Sequence, residues 1–371
     1  MRRLLPLLLL LLLPPSVAQL VPRVVLVAAF PPELERWIER LPLSEELPFP
    51  AGAGPQVLHW NSDLQILGLV TGQTSKSAAM SVTALGHDPR FDLRHAFWLF
   101  AGIAGVDPEL GSLGSVTWGR RLVDGTAVKF LDAREMPQDW LTGWLPLHRD
   151  KPYGLPIPSV AEQKDMVWTL DLHPGGLVEW AFNLTQHIKL PDHKAFASLR
   201  EKYTAAPARA PPRVQLGDTL STDVFWTGSW SAGWARNWTK YWLPAESFGG
   251  QGRLGTSAME DFAVAEALAA LHRAGLVSGV AAALLVLRSA SNFMEPPAKQ
   301  SPVAYMDFFL NEACEAAYLV GLPVVKELLQ RPGFAPSTRG VALKDRSVST
   351  AEFYQVAQVQ RGTHGVRYFV G

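Results

Sequence analysis

Arg23-Val24-Val25-Leu26-Val27-Ala28-Ala29, with Pro31-Pro32 close behind, sets the architecture of this chain. A short, apolar, β-branched run with no polar alternation reads as a parallel strand buried on both faces. Proline is favoured in a first helical turn, so Pro31-Pro32 opens a helix. Leu34, Trp37, Ile38 and Leu41 give that helix an apolar face at helical spacing. Gln65 to Val70 repeats the strand signal, Ser75 to Leu85 the helix, and His95 to Ala101 a third strand. That third strand runs into Gly102-Ile103-Ala104-Gly105, and Gly111 to Trp118 reads as a turn and short strand. Further along come a strand at Arg213 to Gly217, an Ala-rich helix from Gly255 to Leu271, and a strand at Ala281 to Leu287. Asn311 to Val320 and Val324 to Leu329 read as two helices divided by Gly321 and Pro323. Alternating strands and helices predict an α/β fold with a mainly parallel mixed sheet flanked by helices. Residues 130–212, rich in Pro and Trp, read as an elaborated insertion on one domain spanning 19–371.

The chain is 48% hydrophobic and 18% charged, the balance of a folded globular protein. Lys+Arg and Asp+Glu both number 34, so no net field draws it to nucleic acid. Arg2 and Arg3, the apolar run Leu4 to Leu13, and Ser16-Val17-Ala18 before Gln19 read as a secretory signal peptide over 1–18. A membrane anchor needs about 20 apolar residues. Elsewhere Leu276 to Leu287 is the longest candidate and reads as a buried strand, so no stable membrane insertion is expected. The expected location is periplasmic or secreted. Cys314 is the single cysteine, so no internal disulfide is available, and its Ala-rich setting reads as core.

Ligands of open α/β sheets sit where strands end and helices begin. Three polar side chains fall at such places: Glu33 after the first strand, Glu260 beside Met259 at the start of the Ala-rich helix, and Asn292 at the end of Leu287-Arg288-Ser289-Ala290-Ser291-Asn292. Each has an ordinary structural reading, a carboxylate on a helix dipole or an Asn in a turn. Together, a Glu for sugar hydroxyls and an Asn for a heterocycle edge describe a nucleoside pocket. Asp261 and Glu266 are expected to turn away from it. Gly102 and Ile103 could allow close backbone approach to a ligand. Trp226, Trp230, Trp234, Trp238 and Trp242 recur every four residues and read as an aromatic core stripe or oligomer contact; Phe225 or Trp226, ahead of the helix, could instead stack on a base. The Gly102 to Gly105 stretch has neither the P-loop nor the dinucleotide glycine spacing, the histidines show no metal-ligand pairing, and a Gly-x-Ser-x-Gly elbow is missing. No cofactor and no metal is expected.

Gly217-Asp218-Thr219-Leu220 with Trp226, Trp234-Ala235-Arg236-Asn237-Trp238, Lys202-Tyr203-Thr204-Ala205-Ala206-Pro207, Ala258-Met259-Glu260-Asp261 and Leu287 to Asn292 together resemble the purine nucleoside permeases. The order of elements is similar to the nucleoside phosphorylase-like fold, and the resemblance covers nearly the whole mature chain. It implies that Glu33 activates water, that Met259 and Glu260 hold a ribose, and that Asn292 stands where adenine-specific relatives keep an Asp. Phosphorylases of this fold hold phosphate with an Arg and a Ser around the third strand; here those places read Phe100 and Ile103, and no replacement Arg is visible beside them. The implied activity is therefore purine nucleoside hydrolysis ahead of phosphorolysis. Asn292 donates to N7 in a way that suits a 6-oxopurine. A non-catalytic nucleoside-binding protein feeding a separate membrane permease is the alternative. The partner is a small-molecule nucleoside, and homo-oligomers are common among the relatives.

Overall fold

The structure, a computed structural model, describes residues 19–147, 149–152, 169–172, 174, 176–242, 253–305 and 308–330. The signal-peptide reading of 1–18 lies outside these residues, as does part of the 130–212 segment. In chain order the elements are β1 (Val24–Ala28), α1 (Pro31–Arg40), β2 (Glu45–Pro48), β3 (Val57–Asn61), β4 (Ile66–Val70), α2 (Thr74–Gly86), β5 (Phe97–Val106) and β6 (Val116–Asp124). The connection that follows carries β7 (Val128–Phe130), β8 (Trp144–Pro146), β9 (Thr169–Asp171), α3 (Leu177–Thr185), α4 (Lys194–Arg200) and α5 (Ala206–Arg209). The last part comprises β10 (Val214–Ser221), α6 (Ser229–Trp242), β11 (Leu254–Ala258), α7 (Asp261–Arg273), α8 (Val280–Ala283), β12 (Leu284–Phe293) and α9 (Leu310–Gln330).

All five residues of β1 are buried, as its unbroken apolar run requires. Their side chains alternate between two cores. Val25 and Val27 join Leu67, Trp98 and Phe100 under α2 and α7, whereas Val24, Leu26 and Ala28 join Leu99, Leu285 and Leu287 under α1 and α9. Strands β4, β1, β5 and β12 run parallel in that order. The hairpin of β2 and β3 extends the β4 edge in antiparallel fashion. On the other side the sheet curls into a closed ring. β12 pairs antiparallel with β6, β6 parallel with β10, β10 parallel with β11, and β11 antiparallel with β5. Closure brings the C-terminal ends of β5, β10 and β12 toward one place. Among the described residues, no helix is long and apolar enough to cross a membrane.

Three local expectations are corrected. Gly255 to Leu271 is not one helix: Leu254–Ala258 is β11, and the helix begins at Asp261. Small residues that could open a helix are used here to let strands approach, since a Cβ on Gly255 would lie 3.2 Å from the Cα of Gly217 on the neighbouring strand. Ladder pairing on both edges of β11 outweighs local propensity. The two C-terminal helices are one, α9, which runs through Pro323. Its buried face continues across the proline as Val320, Val324, Val325 and Leu328, and that packing offsets one missing hydrogen bond. Gly321 allows the close approach, because a Cβ there would lie 2.7 Å from the Trp37 ring. Strands β5 and β12 also continue past their expected ends, pairing as far as Val106 and Phe293. Glycines and polar residues hid these extensions, which carry the site.

Arg121 on β6 and Asp218 on β10 form a fully buried pair with two contacts of 2.8 Å, and the Arg253 amide also donates to Asp218 at 2.5 Å. Removing Asp218 takes two contacts and the facing charge from a fully buried guanidinium. Asp218→Ala is therefore expected to lose about 3–5 kcal/mol of stability, read by urea denaturation. A loss below about 1 kcal/mol would contradict this placement.

Candidate functional site

Glu33 lies in the first turn of α1 but does not cap it. Its carboxylate turns inward, 4% exposed, and accepts the Ala29 amide at the end of β1 and the Ile103 amide on β5, each at 2.7 Å. One side chain thus ties the end of β1 to the adjacent parallel strand β5, which runs on past it to Val106. Directly across from this point, β12 places Arg288 in register with Gly102. A Cβ at position 102 would stand 2.4 Å from Arg288 Nη1 and 2.5 Å from Glu33 Oε1. The chain's own ion pair of Arg288 and Glu33 approaches the Gly102 backbone closely.

Arg288 is the centre of the cluster. Its Nε donates to Asp261 Oδ1 at 2.7 Å and its Nη2 also contacts that oxygen; Nη2 lies 3.3 Å from Glu260 Oε2, and Nη1 donates to the Ile103 carbonyl at 3.1 Å. Nη1 also faces Glu33 Oε1 at 3.7 Å, and the guanidinium lies 4.2 Å from the centre of the Phe100 ring. The sequence reading saw no arginine beside Phe100 and Ile103. One is there, delivered from a neighbouring strand, and the signal was a lone Arg in the apolar run before Ser289. Asp261, expected to face away, is fully buried at the start of α7 and takes both Arg288 and the Thr219 hydroxyl, the latter at 2.7 Å.

Three carboxylates therefore share one guanidinium. Burial pushes the Glu33 carboxyl up to about 7; Arg288 pulls it down, Glu260 pushes it up, and the Ile103 and Ala29 amides pull it down again. Burial also raises Glu260, against the pull of Arg288 and of the Thr74 amide. A carboxyl that titrates near neutrality can exchange a proton in use.

The first residues of α2 supply the remaining support. Thr74, a β-branched residue, is held at φ 81°, a costly conformation outside glycine. That backbone aims the Thr74 amide at Glu260 Oε1, 3.1 Å away, and the next amide, of Ser75, donates to Asp223 Oδ1 at 2.6 Å. The Ser75 hydroxyl donates to the same oxygen. The N-terminal amides of α2 thus serve two carboxylates of the chain itself.

Beside the cluster is a small pocket of about 30 Å³, partly open to solvent, lined by Phe225, Trp226, Met259, Asn292 and Met294 among others. Asn292 is 6% exposed; its Oδ1 accepts from the Ser291 hydroxyl at 3.0 Å and its Nδ2 donates to the Phe293 carbonyl at 3.1 Å, leaving one amide proton unspent. Trp226 stands edge-on to Trp234, and Phe225, 44% exposed, packs edge-on to Phe308. The sequence candidates therefore fall into two adjoining groups. Met259, Asn292, Phe225 and Trp226 line the pocket, whereas Glu33, Glu260, Gly102 and Ile103 belong to the buried cluster and are not part of that lining. The bond between Met259 and Glu260, and the stretch of β12 from Arg288 to Asn292, join the two. The tryptophan stripe does not act as one face: Trp234 and Trp238 are core residues and Trp230 is 64% exposed. Arg288, Asp261, Asp223 and Met294 are the residues that sequence reasoning missed.

Comparison with known proteins agrees with this architecture. A solved 5′-methylthioadenosine/S-adenosylhomocysteine nucleosidase from Neisseria meningitidis, in complex with methylthio-immucillin-A, superposes with a TM-score of 0.50 at 15% identity, covering 83% of this chain and 99% of that one. The likeness shows the fold, that of the nucleoside phosphorylase-like proteins. A probable purine nucleoside permease of Schizosaccharomyces pombe is 28% identical over 284 residues, 74% of this chain and 78% of the relative. The purine nucleoside permease of Candida albicans is 24% identical over 326 residues, 83% of this chain and 75% of the relative. The family profile described as purine nucleoside permease matches residues 21–333, and the chain belongs to that family.

Proposed function

We propose that this protein binds purine nucleosides in the pocket beside Arg288 and hydrolyses their N-glycosidic bond. The observation that carries the reading is the convergence of Glu33 and Glu260 on Arg288, next to a cavity lined by Met259 and Asn292. Cleavage of such a bond develops positive charge on the sugar, so a carboxylate beside the ribose stabilises the transition state. Glu260 takes that part and accepts hydrogen bonds from the ribose hydroxyls. Glu33 accepts a proton from the attacking water, whose oxygen bonds to C1′ as the bond from C1′ to the base breaks. The electron pair leaves with the base, and the spare Nδ2 proton of Asn292 supports it at N7. Phosphate is a poor nucleophile here, because a dianion would meet three carboxylates around one guanidinium.

A second reading has its own support. Glu33 and Glu260 are each 4% exposed and outside the pocket lining, an arrangement suited to a protein that captures nucleosides without cutting them and passes them to a separate membrane permease. For either role we place the mature protein in the periplasm or outside the cell, on the strength of Arg2, Arg3, Leu4 to Leu13 and Ser16-Val17-Ala18.

Purified protein incubated with inosine is expected to release hypoxanthine and free ribose at a rate indifferent to phosphate. Ribose 1-phosphate as product would overturn hydrolysis, and binding without product would favour the capture role. Because Glu33 acts as the ionised base, kcat/KM is expected to rise with pH through about 7 as its carboxyl loses its proton. Glu33→Gln should lower kcat by about 10²–10⁴-fold and abolish that rise; an unchanged profile would remove Glu33 from the mechanism.

A further inference from the structure

Resting on the hydrolytic reading above, we propose that Asp261 is a positioning residue that reserves Arg288 for a neutral nucleophile. By occupying one edge of the guanidinium it closes the cluster to anions, inorganic phosphate above all.

Each edge of the guanidinium is spoken for. Asp261 Oδ1 takes the Nε and Nη2 donors, and its Oδ2 is held by the Thr219 hydroxyl at 2.7 Å, so the carboxylate cannot swing aside. Both Asp261 and Thr219 are fully buried. Nη1 is left to the Ile103 carbonyl at 3.1 Å and to Glu33 at 3.7 Å, and the Phe100 ring covers one face. Arginine binds phosphate best as a fork of two parallel donors. Asp261 fills the Nε–Nη2 fork, and its charge adds to those of Glu260 and Glu33 against any incoming anion. Without that charge the fork is held only by a neutral acceptor that an anion can displace, and the guanidinium is less compensated.

The same contact affects the base. The titratable and charged groups around Glu33 are Arg288 from β12, Glu260 after β11, and Cys314 from α9, whose thiol burial pushes up to about 12 and which is therefore neutral. Arg288 is the one cation of this group. Releasing it from Asp261 strengthens its pull on the Glu33 carboxylate and favours the ionised form at lower pH.

The test is Asp261→Asn, which keeps the shape and removes the charge, studied in the full chain. Calorimetric titration with inorganic phosphate decides, and the pH profile of inosine hydrolysis accompanies it. Wild-type protein is expected to take up no phosphate. D261N is expected to bind it in the millimolar range or tighter, with the acid limb of kcat/KM moved down by about one pH unit. A folded D261N that binds no phosphate overturns the assignment. Should D261N not fold, Thr219→Val loosens the same carboxylate, and weaker phosphate binding in the same titration is expected; none overturns the proposal. The calorimetry needs no turnover, so the two readings fail separately. Wild-type protein that releases no hypoxanthine beside a phosphate-binding D261N sinks hydrolysis alone. Wild-type hydrolysis beside a D261N indifferent to phosphate sinks the role of Asp261 alone.

Discussion

A guanidinium 2% exposed, among three carboxylates each 4% exposed or less, is the constraint around which the functional end of this molecule is built. Moving ions out of water costs several kcal/mol each, recovered only when geometry and hydrogen bonding are good. The fold supplies both. Backbone amides of Ala29, Ile103 and Thr74 satisfy Glu33 and Glu260, and the Thr219 hydroxyl satisfies Asp261. These donors come from the end of β1, from β5, from the start of α2 and from β10, so the cluster exists only when four separate parts of the chain are assembled. The strained backbone of Thr74 and the missing side chain of Gly102 follow from the same demand.

The ring of β5, β12, β6, β10 and β11 is what permits such register. An open sheet would fan the ends of β5 and β10 apart as it twists. Closing β11 onto β5 brings Met259 and Glu260 to the ends of β5 and β12. The pocket wall from Val224 to Trp226 then follows from where β10 ends. Charge cluster and cavity are thus two outcomes of one closure, with polar donors on the buried side and Phe225, Trp226 and Met294 on the open side.

Much of this was legible in the sequence, and the remainder was not for definite reasons. The unbroken apolar run of β1 and the proline start of α1 announce the parallel layer; Glu33, Met259 and Glu260 read at helix starts and Asn292 at a strand end, and the family resemblance supplies their expected roles. Arg288 was passed over because an arginine inside a strand declares nothing about the strand beside it; its partners are contributed from positions 33, 103, 260 and 261 through pairing that no local pattern encodes. Asp261 reads as turned from the pocket and stands outside its lining; its bond to Arg288 is hidden because Leu254–Ala258 reads as helix, which rotates every following side chain. Small residues look the same whether they begin a helix or let two strands meet. Pro323 misled in the opposite direction, since tertiary packing along α9 overrides a local breaker.

The central claim is that a single bound nucleoside touches both the cluster and the pocket. A crystal structure of the protein soaked with inosine tests it most directly. The account predicts the ribose hydroxyls within about 3 Å of the Glu260 carboxylate, C1′ turned toward Glu33, and the purine between Trp226 and Asn292. A nucleoside bound elsewhere on the molecule, or held in the pocket with its ribose directed away from Glu260 and Arg288, would contradict it.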